Sequence, residues 1–313
     1  MRILVTGGCG FIGSHVVDEL TSRGHEVEVL SRPNCNLSNI REHKSIVHHN
    51  ADISDREKVF AEIGKGLDGI IHMSALVNVD QSRNEPLRFL DVNVGGTVNV
   101  MEAARQKGIP RYLHMSTCEV YGNIPSGKAT EEQPLNPRSP YAVSKFAAER
   151  YVLAYAHTYP EMGIRMVRGF NQYGPRQSAE KFGAVIPKFI TQALKGERMK
   201  VFGGGEQTRD YVFAKDTARG ISDAFENTTL ANGEIINLAT GLDYSIMQIA
   251  VRIAELTGKA PKEAIEHVDG RPGELMRSIG DSSKAKALLG WVPTVKFDEG
   301  LKITYDWFRA QMK

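Results

Sequence analysis

Three residues into the chain, a short apolar run (Ile3-Leu4-Val5) stops at Thr6-Gly7-Gly8-Cys9-Gly10-Phe11-Ile12-Gly13. An amphipathic segment follows to about residue 23 and ends at Gly24. Glycines at 7, 10 and 13 give a GxxGxxG spacing between a predicted strand and a predicted helix. A turn this tight needs small residues. Its backbone can then approach a pyrophosphate, which the helix N-terminus attracts through free N–H groups and a positive dipole end. The plainer alternative is a simple strand-to-helix turn. Its position at the head of a chain that goes on alternating strand and helix favours a dinucleotide, held by Gly7, Gly10, Phe11, Ile12 and Gly13.

That alternation is legible well beyond the turn. Residues 26–30, 70–72, 111–115 and 164–168 read as strands, and residues 89–107 as a long helical stretch. Such βαβ units imply a parallel sheet with right-handed crossovers. The expected fold is α/β, a Rossmann-type doubly wound parallel sheet. Past Phe170 the pattern shortens, punctuated at Gly174-Pro175, Gly203-Gly204-Gly205, Pro261, Arg271-Pro272-Gly273 and Pro293. Residues 1–170 are therefore expected to bind NAD(P), with return segments near 211–240. Residues 171–313 are expected to form a smaller mixed α/β substrate domain. A length of 313 residues suits two such units.

Composition narrows the partners. Lys and Arg total 39 against 37 Asp and Glu, which gives no electrostatic footprint for nucleic acid. The three cysteines, Cys9, Cys35 and Cys118, form neither a disulfide framework nor a CxxC pair. The His48-His49 pair lacks partners at metal-ligand spacing, so no metal site is expected. No apolar run reaches the length of a membrane span, and the chain opens directly on a strand. A cytoplasmic enzyme is the expected class.

Dinucleotide folds commonly carry an acid at the end of the second strand, for the adenosine ribose hydroxyls. Here that place reads Leu30-Ser31-Arg32-Pro33. A serine beside a guanidinium suits a 2′-phosphate and favours NADP over NAD; the alternative is a solvated arginine. Asp52 and Ile53, after the third strand, are candidates for the adenine ring.

Tyr141 and Lys145 stand four apart in Ser139-Pro140-Tyr141-Ala142-Val143-Ser144-Lys145, and Ser139-Pro140 reads as a helix start. On a helix the two share a face, and a nearby cation favours a phenolate that can act as a base. Met115-Ser116-Thr117-Cys118-Glu119-Val120-Tyr121-Gly122 ends the strand that begins at 111. Carboxyl ends of strands line the ligand crevice of such sheets. A hydroxyl, a thiol and a carboxylate are thus expected beside Tyr141. Cys118 also has a plainer reading, as a small buried residue beneath the ligand.

GxxGxxG, the STCEVYG stretch and YxxxK together resemble the extended short-chain dehydrogenase/reductases, within them the nucleotide-sugar epimerases and dehydratases. Further agreement comes from Gly169-Phe170-Asn171-Gln172-Tyr173-Gly174-Pro175-Arg176, Gln207-Thr208-Arg209-Asp210-Tyr211, Arg271-Pro272-Gly273-Glu274 and Leu289-Gly290-Trp291-Val292-Pro293, so the resemblance spans nearly the whole chain. It implies that Tyr141 takes the proton of the sugar C4 hydroxyl as hydride passes to the nicotinamide. Lys145 is implied to lower the tyrosine pKa and hold the nicotinamide ribose, Thr117 to hydrogen-bond the same hydroxyl, and Asn93 to lie near the cofactor. Asn171, Lys188, Val201, Phe202, Arg209 and Arg271 are implied to hold the nucleotide sugar, with a UDP-sugar favoured.

The second step separates the candidates. In 4,6-dehydratases a Glu matching Glu119 removes the C5 proton acidified by the 4-keto group, and an Asp just before it helps the C6 hydroxyl leave. Here that Asp is Cys118, a poorer acid. The Thr-Cys-Glu triplet looks most like the tunicamycin-type UDP-hexosamine 5,6-dehydratases. A dehydratase is therefore placed above a 4-epimerase or a UDP-glucuronate-type decarboxylase. A non-catalytic NADP sensor of the same fold is disfavoured by the presence of Thr117, Glu119, Tyr141 and Lys145 together. A homodimer is expected, since relatives pair through the helices around residues 84–107 and 139–155.

Overall fold

The computed structural model describes residues 1–33, 35–43, 45–179, 184–270 and 275–312. Its strands are β1 (Arg2–Thr6), β2 (Glu26–Ser31), β3 (Val47–Asn50), β4 (Gly69–His72), β5 (Arg111–Thr117), β6 (Gly163–Gly169), β7 (Asn171–Tyr173), β8 (Met199–Phe202), β9 (Thr208–Phe213), β10 (Glu234–Leu238), β11 (Asp243–Ser245), β12 (Ile265–Val268) and β13 (Arg277–Ser278). Seven of them form one parallel sheet in the order β10-β6-β5-β4-β1-β2-β3. The apolar run that opens the chain becomes its centre. Ile3, Leu4 and Val5 are fully buried because a parallel strand is covered on both faces.

One face packs Ile3, Val5, Val17, Leu20, Val29 and Phe225 together. The other packs Leu4, Leu30, Ile70, Val100, Met101 and Tyr112. The chain leaves β1 toward β2 on one side and later returns to β4 on the other. That reversal opens a crevice at the carboxyl ends of β1 and β4, the place where such sheets bind ligands.

After β6 the chain builds a second core from Tyr173, Phe189, Ile190, Ile249, Ile253, Phe297 and Leu301. It holds a small sheet in which β9 pairs with β7, β11 and β13, and a β8–β12 pair. Between these pieces the chain crosses back. Helix Ala214–Glu226 lies on helix Phe11–Ser22, and β10 adds to β6.

Local signals set several boundaries. Gly24 adopts φ +81° just past the first helix, a conformation open to glycine. Ser139 caps the helix Pro140–Thr158: its hydroxyl accepts the Ala142 N–H at 3.1 Å, and Pro140 takes the first turn. The helical stretch expected over residues 89–107 is not uniform. It runs as Pro86–Phe89, a wide π-turn over Leu90–Gly95 and then Gly96–Gln106. Within the π-turn Asn93 is anchored elsewhere: its Oδ1 accepts the Leu76 N–H (2.8 Å), and its Nδ2 donates to the Leu76 carbonyl (2.9 Å) and the Ser144 hydroxyl (3.0 Å). Such widened turns commonly sit at functional sites.

Candidate active site

The glycine-rich turn folds as its composition demands. Gly7 sits at φ +73° and donates to the Leu30 carbonyl at 2.7 Å, while Gly10 donates back to Gly7 at 2.9 Å. A Cβ at Gly13 would collide with the Gly7 carbonyl, and one at Gly8 would press 2.7 Å from Val29 Cγ2. Gly10 opens helix Phe11–Ser22 with no side-chain cap. A close-approach turn ending in an uncapped helix N-terminus fits a dinucleotide diphosphate. Phe11 and Ile12 provide the first N–H groups of that helix.

The other positions expected near the cofactor surround this turn. Arg32 is exposed at the end of β2. Ser31 is buried, and its hydroxyl is engaged by His48 Nε2 (2.6 Å) and Cys35 Sγ (2.8 Å). Asp52 turns back to accept from the Ser54 N–H and hydroxyl. Ile53 is buried against Gly96, and its carbonyl accepts from Asn99. Asn93 does not offer its amide freely, because Leu76 and Ser144 occupy it; it fixes the wall after β4 to the helix that carries Tyr141 and Lys145.

At the end of β5 the expected cluster assembles. Thr117 is the last residue of the strand, and Cys118 and Glu119 open the 3-10 turn Cys118–Tyr121. The Thr117 hydroxyl hydrogen-bonds the Tyr141 phenol, and the Glu119 carboxylate acts on that phenol. Burial pushes the phenol above the usual tyrosine range, Thr117 draws it down, and Glu119 pushes it further up. Burial also raises Glu119, opposed by Arg209 of β9. Burial and Glu119 push the Cys118 thiol up to about 12. That thiol is neutral near pH 7 and is no proton donor of useful strength.

The Lys145 ammonium is held by acceptors on β5. Lys145 Nζ donates to the Met115 carbonyl at 2.7 Å and lies 3.3 Å from His114 Nε2. A fully enclosed ammonium takes the acceptors within reach. Burial lowers Lys145 to about 8, partly opposed by Glu149. Because its folded pKa lies below the 10.5 of a free lysine, stability should rise as pH climbs from about 8 toward 10.5. We expect Lys145→Met to stabilise the apoprotein by roughly 3 kcal/mol at pH 7, the free-energy equivalent of such a shift. The gain should vanish near pH 10.5, and turnover should be lost across the range. Thermal melts of both proteins against pH check this; a constant difference across pH would contradict it.

On the far side of the crevice, Asn171 Nδ2 donates to the Asp210 carbonyl (3.1 Å), and Arg209 donates to the Thr208 carbonyl (2.9 Å). Lys188 Nζ lies 5.8 Å from the Phe202 ring centre. The side chain of Val201 does not line a ligand surface: it is fully buried in the second core, because residues alternate along β8. Arg271 lies outside the described residues.

Several residues here carry no local sequence signal. Glu149 is buried in a bidentate pair with Arg168 (2.7 and 3.0 Å), with Ser116 donating to the same carboxylate at 2.5 Å. This network locks the helix carrying Tyr141 onto β5 and β6. His15 contacts the Pro175 carbonyl (3.0 Å), and Arg176, at φ +68°, pairs with Asp18 (2.7 Å). Together they join the first helix to the segment after β7. Burial keeps His15 neutral by lowering it to about 4.

A family model described as GDP-mannose 4,6 dehydratase matches residues 4–304. A UDP-glucose 4-epimerase of Mycolicibacterium smegmatis is 36% identical over 99% of this chain and 99% of its own length. A dTDP-glucose 4,6-dehydratase of Streptomyces niveus is 34% identical over 99% of this chain and 93% of its own. Among solved structures, the UDP-glucose 4-epimerase of Thermotoga maritima with UDP-glucose superposes with a TM-score of 0.92 at 32% identity, covering 100% of both chains. Further relatives include a UDP-glucuronic acid decarboxylase and a dTDP-glucose 4,6-dehydratase solved with NAD and TYD bound. Across its whole length the chain belongs to the GDP-mannose 4,6 dehydratase family, among the nucleotide-sugar epimerases and dehydratases of the extended short-chain dehydrogenase/reductases.

Proposed function

We propose that the chain is an NAD(P)-dependent nucleotide-sugar dehydratase acting through a 4-keto intermediate, with a UDP-hexose as substrate. The observation that carries this reading is Glu119. It is a carboxyl with a raised pKa, set beside Tyr141 and Thr117 where a pure epimerase needs no second base. When bound in the crevice, the dinucleotide supplies the hydride acceptor and donor.

The rest falls to the chain. Thr117 orients the C4 hydroxyl and Tyr141 receives its proton. Lys145, on the same helix face, supplies the positive charge that favours the phenolate. The resulting ketone acidifies the C5 proton, which Glu119 removes. Cys118 stays neutral, so Glu119 also returns that proton to the departing C6 hydroxyl, and water leaves. The Thr-Cys-Glu triplet points further to a 5,6-alkene product with the C4 hydroxyl restored. Arg209 acts on Glu119 and Cys118, and in this reading its guanidinium meets the anionic end of the substrate.

Incubation with UDP-, GDP- and dTDP-hexoses tests the class. Loss of water from a UDP-hexose is the expected result. Unchanged mass with an inverted C4 would make the protein an epimerase, and release of CO2 a decarboxylase. Arg32, exposed where a ribose-binding acid would otherwise stand, favours NADP within this reading. Calorimetric titration is expected to show tighter NADP than NAD, with the gap closed in Arg32→Ala. Tighter NAD in the wild type would sink that assignment, as the NAD-bound relatives allow.

A further inference from the structure

Cys9, Cys35 and His48 are far apart in sequence and have no metal-ligand spacing, yet the fold brings them to one point. Cys9 sits in the glycine-rich turn, Cys35 in the loop after β2, and His48 on β3 opposite Val29. The two sulfurs are 3.3 Å apart, and Cys35 Sγ is 3.7 Å from His48 Nε2. All three ligand atoms lie within 4.8 Å of one another. Ser31 completes the group, with its Oγ 2.6 Å from His48 Nε2, 2.8 Å from Cys35 Sγ and 3.4 Å from Cys9 Sγ.

We infer that these residues form a binding site for a thiophilic divalent cation of the zinc class. Cys9 Sγ, Cys35 Sγ and His48 Nε2 are the ligands, and Ser31 Oγ or a water is the fourth. Tetrahedral zinc with arms of about 2.3 Å to sulfur and 2.0 Å to nitrogen separates its ligand atoms by roughly 3.5–3.8 Å. The observed spacings need only small side-chain rotations to reach that. Binding exchanges two thiol protons, released to solvent, for one cation, with no change in oxidation state. A disulfide between the two cysteines would require the sulfurs to close to about 2.05 Å and would use neither His48 nor Ser31. The convergence of four donor groups favours the cation.

The site has a structural consequence. Between Ser31 and Val47 the described residues carry only the short 3-10 turn Leu37–Asn39, tied to the first helix by His43 on Asp18 at 2.7 Å and to the core by buried Ile40. The Asn39 amide donates to the Cys9 carbonyl at 3.0 Å, already drawing the loop toward the turn. A cation there would clip the loop to the glycine-rich turn. The inference does not depend on which sugar reaction the enzyme catalyses.

Cobalt(II) titration of the full-length, reduced, metal-free protein tests it. One cobalt per chain is expected, with thiolate charge-transfer absorption in the near ultraviolet and tetrahedral bands in the visible, bleached by zinc(II). Cys9→Ala and Cys35→Ala should each weaken cobalt binding by roughly a hundredfold, at least as much as loss of an outer-shell partner. Zinc should raise the Tm of the wild type and not of these variants. If Cys9→Ala folds poorly, Cys35→Ala at the half-buried loop position carries the comparison. Absence of thiolate bands, or bands that survive both substitutions, would overturn the site. Loss of both thiols with a mass lower by two hydrogens under reducing, metal-free conditions would assign a disulfide instead.

Discussion

Tyr141→Phe is expected to lower turnover by about a thousandfold, within the range of general acid–base contributions, while leaving the melting temperature nearly unchanged. Phenylalanine keeps the ring, its burial and its edge contact with Phe89, whose centroid lies 6.4 Å away. Only the hydroxyl that Thr117 engages is removed. The resting phenol is pushed up by burial, so it is protonated near neutral pH and needs the neighbouring lysine charge to become a base. Steady-state assays beside circular-dichroism melts check both halves of the prediction. An active Tyr141→Phe protein would place the proton transfer on another group.

The second large effect concerns Glu119. Glu119→Gln preserves size and hydrogen bonding but cannot carry a proton from C5 to the leaving hydroxyl. Dehydration should fall by roughly a thousandfold, the upper part of the range for such groups. Oxidation at C4 should survive, since Thr117, Tyr141 and Lys145 are untouched. The variant should therefore accumulate keto sugar or return substrate. Rapid-quench product analysis shows which. If dehydration continues at the wild-type rate, the carboxyl is structural and the elimination scheme fails. Cys118→Ser should change turnover little, because the thiol is neutral and buried.

Much of this was readable in the sequence where the physics is local. The turn at Gly7, Gly10 and Gly13 and the cap at Ser139 depend on steric limits and backbone donors within a few residues. The Tyr141–Lys145 spacing follows from helical periodicity. The Thr117–Glu119 group followed because a strand end and a fold class together fix which edge is the crevice.

What escaped was set by long-range pairing. Nothing in residues 26–50 announces that Ser31, Cys35 and His48 meet Cys9, because register between parallel strands is decided by the whole sheet. Lys145 turned to the Met115 carbonyl and His114 since enclosure, not helical phase, selected its acceptor. Asn93 reached Leu76 through a π-turn that no periodicity predicts. Val201 sits on the inward phase of a strand too short for its alternation to be seen.

The most direct test of the account follows the proton at C5. The wild-type enzyme is incubated with UDP-hexose deuterated at C5, and the product is analysed by NMR and mass spectrometry. Loss of the label together with loss of water is expected, abolished in Glu119→Gln. Product that retains the C5 deuterium with inverted configuration at C4 would contradict it and make this chain an epimerase that never uses Glu119 as a base.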